Sequence, residues 1–488
     1  MAELNGLEPR DVFGHFLALS AIPRGSGNER GAADYVAGWA ADKGFGVRRD
    51  GLSNVVADAP ASKGYEGAPT VIIQAHLDMV CEKDGGSRHD FTRDPLELYI
   101  DGEWLRARGT TLGADDGIGV ALAMAVAEDV SAVCPPLRLV FTTDEEVGMG
   151  GAKGLDVSGL AGARYLINID NSDEDEVIIG CAGGVISDSR FAADRVPVPE
   201  DYGAVFVSVS GLAGGHSGGD IHLGRANANV AAARIVNELY REYDIYIKEV
   251  TGGEKDNAIP RECSVTLFAR EPGRAAAAAR AFGRVIAREY AAADPGLTVS
   301  ADPITVSDYT ALSPDLAGAL TAFALLAPCG VISARPSDPS MIETSSNIGV
   351  IRAGSDGALI TCLSRSYSES RLADTAARIR LLADALGGSV SARGEYPGWE
   401  PDPGSKLAAL FAAARERLTG RRPAVRSVHA GLECGIFARK LPGLDMVSVG
   451  PRAEGIHSPN ERLFIPSVGR ARGTLASVLR EIAQEGGS

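Results

Sequence analysis

The chain has 488 residues, more than one compact core accommodates, so two domains are expected. Apolar residues make up 45% and charged residues 23%, the composition of a globular enzyme rather than a disordered or fibrous chain. Lys and Arg total 48 against 64 Asp and Glu, and the net charge of −16 argues against binding nucleic-acid phosphates or an anionic membrane surface. The segment Met1-Ala2-Glu3-Leu4-Asn5 has neither a basic nor an apolar leader pattern, which makes a cytoplasmic location the expectation. The seven cysteines are scattered and include no Cys-x-x-Cys pair, which disfavours a disulfide framework or a thiolate zinc site.

Along the chain, Val71–Ala75, Leu137–Thr142 and Tyr165–Ile169 read as buried strands, and residues 117–128 read as a buried helix. Strands separated by helices predict an α/β fold with a mostly parallel sheet flanked by helices. From about residue 185 the texture changes to alternating strands such as Ala204–Val209, with amphipathic helices near 226–242 and 274–291, predicting an inserted α+β domain. The uncharged run between Asp315 and Arg335 is broken by Thr321, Pro328 and Gly330, so it reads as a buried helix and turn, not a membrane span. Near 396–403 the sequence resembles a linker; a helix over 405–418 and a strand over 445–449 follow. The expected organisation is a discontinuous domain, 1–184 with 396–488, interrupted by a domain over 185–395.

Four predicted strands run into metal-ligand residue types: His76-Leu77-Asp78, Asp144-Glu145-Glu146, Asp170, and a loop reaching His457. A fifth element, Gly113-Ala114-Asp115-Asp116-Gly117, opens the 117–128 helix. Ligands of open α/β sheets bind beyond the carboxyl ends of the strands, so these residues should meet in one crevice. The motifs hold several carboxylates and no Lys or Arg, so they must either take up protons or hold cations. Two divalent ions bring +4, which three ligand carboxylates and a hydroxide balance. Imidazole and carboxylate without thiolate best suit zinc, with cobalt or manganese as substitutes.

Such a centre activates a bridging water and polarises a carbonyl, and needs a free carboxylate to move the proton. Asp115, alone on a glycine-flanked turn, is the choice for the bridge. His76 and Asp170 would complete one ion, and Glu146 and His457 the other. Glu145 is then free to be the base, and Asp78 fits a partner that fixes the His76 tautomer, or alternatively a plain helix cap. In Gly214-Gly215-His216-Ser217-Gly218-Gly219, His216 reads equally as an oxyanion donor or a turn histidine. His429 and Glu433 could form a charged wall near the metals that helps bind the substrate, or simply open a helix.

The ordered set of these motifs resembles the aminoacylase/carboxypeptidase family of co-catalytic zinc peptidases. Within it, Gly180-Cys181-Ala182-Gly183-Gly184, Asp256-Asn257-Ala258-Ile259-Pro260-Arg261-Glu262 and His429-Ala430-Gly431-Leu432-Glu433-Cys434-Gly435 are similar to the aminoacyl-histidine dipeptidase branch. The resemblance implies the same ligand set, with Asp115 bridging, Glu145 as base and Asp78 behind His76. It implies that the insert is a lid and homodimerisation domain, and that His216 reaches the substrate carbonyl, often across the dimer. Asn257 and Arg365 match positions that would hold the substrate carboxylate. Where this branch often has Asp-Asn, the present chain has Asp115-Asp116. The implied activity is hydrolysis of unblocked dipeptides, including Xaa-His. The alternatives are an N-acyl amino acid deacylase or carboxypeptidase on the same scaffold, and a metal-binding dimer without catalysis.

Overall fold

In the computed structural model, which describes residues 4–336 and 338–485, the chain divides into two units. The first comprises 1–181, Trp399–Ser427 and 432–488; the second comprises Ala182–Gly398 and Val428–Gly431. The four-residue excursion at Val428–Gly431, which carries His429, was not anticipated from the sequence. It assigns His429 to the second unit rather than to the first.

The first unit is built on eight strands: β1 (Gly46–Arg49), β2 (Val55–Ala59), β3 (Val71–His76), β4 (Leu137–Thr142), β5 (Tyr165–Asn168), β6 (Glu176–Cys181), β7 (Ala424–Val428) and β8 (Asp445–Ser448). They lie in the order β1-β2-β4-β3-β5-β8-β6-β7. The central four, β4-β3-β5-β8, are parallel; β1, β2 and β6 join antiparallel. Strands covered on both faces need apolar residues at successive positions, and Val71, Ile72, Ile73 and Ala75 are all fully buried. The four strands predicted to carry the ligand types are the four parallel ones.

Helices α1 (Arg10–Ser20), α2 (Arg30–Asp42), α3 (Ala114–Glu128), α4 (Lys406–Thr419), α5 (Glu433–Lys440) and α6 (Ile465–Glu485) accompany this sheet. Helix α3 is apolar all round because it is buried all round: Ile118, Val120, Leu122, Met124 and Val126 are each at most 4% exposed. Each large side chain so buried contributes about 1.5–3 kcal/mol.

The second unit holds a nine-stranded antiparallel sheet, with helices Ala228–Glu242, Pro272–Glu289, Pro314–Leu326 and Glu369–Ala385. Val205, Val207 and Val209 of strand Gly203–Ser210 are buried in its core while Phe206 is exposed, the alternation of a sheet with one covered face. The uncharged run forms the helix Pro314–Leu326, and no helix among the described residues is long and apolar enough to cross a membrane. All seven cysteines are unpaired thiols.

Candidate metal centre

The carboxyl ends of β3, β4, β5 and β8 bring His76, Glu145, Glu146, Asp170 and His457 together with Asp115 at the start of α3. His76 Nε2 lies 3.0 Å from Asp115 Oδ1 and 3.6 Å from Asp170 Oδ1. The other Asp115 oxygen lies 3.2 Å from His457 Nε2, which is 3.1 Å from Glu146. Asp115 thus stands between the two imidazoles. Three groups of side chains have ligand atoms close enough to share an ion: Asp115, Glu146 and His457; His76, Asp116 and Asp170; and His76, Glu145 and Glu146.

The carboxylate pair on α3 separates by geometry. Residues 115 and 116 depart from helical dihedrals. Asp116 Oδ2 accepts the backbone N–H of His76 at 3.1 Å, and its carboxylate lies so close over Gly119 that a Cβ there would meet Oδ1 at 2.1 Å. Asp116 is tied to the scaffold, whereas Asp115 faces the imidazoles.

Asp78 is fully buried behind His76, with Oδ1 3.4 Å from Nδ1. Its oxygens also accept the backbone N–H groups of Glu145 and Glu146, each at 3.1 Å, and the Ser26 hydroxyl at 2.8 Å. Burial opposes ionisation of Asp78, yet the hydrogen bond and charge of His76 and these donors outweigh it and hold the carboxyl down to about 2. One side chain therefore orients both the imidazole and the Glu145–Glu146 turn.

The site is electrostatically unbalanced on protein charges alone. Asp115, Asp170 and Glu146 make their ion pairs with imidazoles. Burial foremost, opposed by His76 but reinforced by Asp115 and Glu146, raises Asp170 to about 6. Burial likewise lifts Glu145 well above the carboxylate range, His76 opposing while Asp170, Glu433 and Glu146 add to it. His457 is pushed up to about 10 by its hydrogen bonds to Asp115 and Glu146. His76 is raised too: burial works against its proton, but Asp115, Asp170 and Asp78 prevail. Asp115 goes the other way: burial opposes its charge, but the hydrogen bonds of His457 and His76 hold it well below the carboxylate range. Buried carboxyls that favour protons, Asp170 and Glu145, beside an ionised Asp115 and imidazoles that hold their protons, form a donor set suited to divalent cations.

The remaining sequence candidates divide between the units. Glu433, at the start of α5 in the first unit, is fully buried; its Oε2 accepts from Gln74 Nε2 at 2.5 Å and from Thr142 Oγ1 at 2.6 Å. Burial, against the opposing charge of His76, raises it to about 7. His216, Asn257, Arg365 and His429 belong to the second unit. The Nδ1 of His216 accepts the backbone N–H groups of Gly218 at 3.3 Å and Gly219 at 2.9 Å. Partial burial and the nearby Arg365 cation lower its pKa. The neutral ring therefore carries its proton on Nε2, free to donate. Gly214 and Gly215, with φ of 65° and 130°, form the turn that presents it.

Asn257 lines a groove with His216, and its carbonyl accepts from Ser217 N–H at 2.9 Å. Arg365 is buried and donates to the Tyr396 hydroxyl at 2.5 Å. His429 Nε2 is 2.7 Å from Ser345 Oγ; burial, then Arg365 and His216, depress its pKa to about 3. Buried Arg365 Nε and His429 Nδ1 have no hydrogen-bond partner among the described residues.

Sequence reading missed two charged residues that hold the site's backbone. Arg24, fully buried, donates through Nη1 to the carbonyls of Leu77 at 2.9 Å and Asp78 at 3.0 Å, and through Nη2 to that of Gly113. Glu461 accepts from the N–H groups that open α3. Neither lies in a recognisable pattern, although Glu461 follows His457 by four residues.

This chain belongs to the peptidase family M20/M25/M40, whose model matches residues 72–481. It is 39% identical to the cytosol non-specific dipeptidase of Escherichia coli (strain K12) over 484 residues, covering 99% of each chain. Its fold matches a crystal structure of aminoacylhistidine dipeptidase from Vibrio alginolyticus with a TM-score of 0.90 at 35% identity, over 99% of both chains. An aminopeptidase PepT structure from Bacillus cereus, at 15% identity and TM-score 0.56 over 98% of this chain and 99% of that one, shares the fold.

Proposed function

We propose that the chain is a cytosolic, two-metal dipeptidase acting on unblocked dipeptides, Xaa-His among them. The observation that carries the reading is Asp115 standing between His76 and His457, each imidazole accompanied by a further carboxylate, Asp170 or Glu146. The names of the two full-length relatives, a cytosol non-specific dipeptidase and an aminoacylhistidine dipeptidase, support the substrate class and the compartment.

In this reading His76, Asp115 and Asp170 would hold one ion, and Asp115, Glu146 and His457 would hold the other. The absence of thiolate from the donor set favours zinc, with cobalt or manganese as functional substitutes. When bound, the ions supply Lewis acidity that lowers the pKa of water and polarises the scissile carbonyl. Glu145 is assigned as general base: Glu146 pairs with His457, which leaves its neighbour Glu145 as the carboxylate free to take a proton from water and deliver it to the departing amine. Asp78 keeps Nδ1 of His76 engaged and anchors the Glu145–Glu146 turn. His216 donates its Nε2 proton to the carbonyl oxygen as negative charge develops there. Arg365, His429 and Asn257 are assigned to the substrate carboxylate, supported by the unpartnered Arg365 Nε and His429 Nδ1. Glu433 is assigned as a buried acid near the metal residues, and the second unit as lid and homodimerisation domain.

A side-by-side assay of Gly-His, β-alanyl-histidine and the matching N-acetylated amino acids tests the assignment. Cleavage of the free dipeptides with the blocked compounds left intact is expected. The reverse pattern would establish the deacylase alternative.

A further inference from the structure

The Glu461 side chain is 2% exposed and accepts four consecutive backbone N–H groups. Oε2 takes those of Leu112 at 2.7 Å and Gly113 at 2.9 Å; Oε1 takes those of Ala114 at 2.8 Å and Asp115 at 3.3 Å. These donors open a helix and have no partner within it, so a carboxylate there is favoured by charge and by hydrogen bonding together. On the carbonyl side of the same turn, Arg24 donates to Gly113. The turn bearing Asp115 is thus gripped from both sides by buried ionic groups.

The grip also links two segments far apart in the chain. Glu461 closes the loop that begins near His457, its own N–H donating to Ser458 O at 3.0 Å. Asp115 reaches His76 with one oxygen and His457 with the other, so its position relative to both rings depends on how this loop is fastened to the turn. A helix cap alone would need one acceptor oxygen, whereas this carboxylate spends both on the residues leading to Asp115.

We propose that Glu461 is a positioning residue that fastens the His457 loop to the Asp115 turn and thereby sets the affinity of the centre for both ions. This rests on the ligand assignment above. The test is calorimetric titration of chelator-treated protein with Co²⁺, for the parent chain and for Glu461→Gln. The amide keeps the shape but offers one acceptor oxygen, and its NH₂ faces donors. The parent should bind two ions per chain, and the variant should bind both with about 10–100-fold weaker affinity, the usual effect of losing a partner behind the ligands. A Glu461→Gln protein that unfolds earlier yet binds two Co²⁺ with parental affinity would reduce Glu461 to a cap and overturn the proposal. A parent chain that does not take up two ions would instead overturn the ligand assignment. Should the variant fail to fold, hydrogen exchange of the chelator-treated parent decides: slow exchange at residues 112–115 is expected, and exchange at unprotected rates in the folded protein overturns the clamp.

Discussion

Replacing Asp78 by Asn keeps the side-chain shape and removes the charge that three elements share. The carboxyl is fully buried and is lowered from 3.8 to about 2, a differential interaction of about 2.5 kcal/mol at ~1.36 kcal/mol per unit. A carboxyl with a depressed folded-state pKa contributes stability that is present above 3.8 and is lost as pH falls through about 2. Chelator-treated Asp78→Asn should therefore unfold in urea with about 2 kcal/mol less stability than the parent at pH 7, and the gap should narrow below pH 3.8. Because both Asp78 oxygens also hold the Glu145 and Glu146 backbone, metal affinity and kcat should each fall about 10–100-fold. An Asp78→Asn protein with parental urea midpoint at pH 7 and full activity would refute the reasoning.

Glu145→Gln should lower kcat by about 10²–10⁴-fold with both ions still bound, as read by steady-state kinetics beside metal analysis. In the chelator-treated protein, His457 at about 10 contributes stability that is complete below pH 6.5 and lost as pH rises through 10. Thermal unfolding should track that loss, and metal binding at neutral pH should release protons into a weakly buffered solution. A Cβ at Gly218 would meet the His429 carbonyl at 2.1 Å, so Gly218→Ala should displace the His216 loop and lower kcat with little change in metal content. His216→Ala should lose about 10²–10³ in kcat if its Nε2 proton stabilises the oxyanion.

The parallel strands were legible because burial on both faces writes them as unbroken apolar runs, and the site because all four lead into His, Asp or Glu, a signal that no one of them carries alone. Val71–Ala75 followed by His76 is the clearest case. The antiparallel edge strand β1 left no comparable mark: Gly46–Arg49 is largely exposed and half basic. Arg24 and Glu461 were illegible for the opposite reason. A lone charged residue reads as solvated surface, and only the folded chain places Arg24 against the carbonyls of residues 77, 78 and 113, or Glu461 against amides some 346 positions away. The glycine-flanked turn singled out Asp115, but what Asp116 does instead, accepting the His76 N–H from a non-helical first turn of α3, was not readable from spacing. The excursion of His429 into the second unit rests on four residues with no compositional signature.

The account turns on these carboxylates and imidazoles holding the ions that the hydrolysis of a free dipeptide would require. Its most direct test is the cleavage of β-alanyl-histidine and Gly-His by purified protein, before metal removal, after it, and after zinc or cobalt is restored. Activity that disappears with the metal and returns with it is the predicted result. A folded, metal-restored protein that leaves both dipeptides intact would contradict the account.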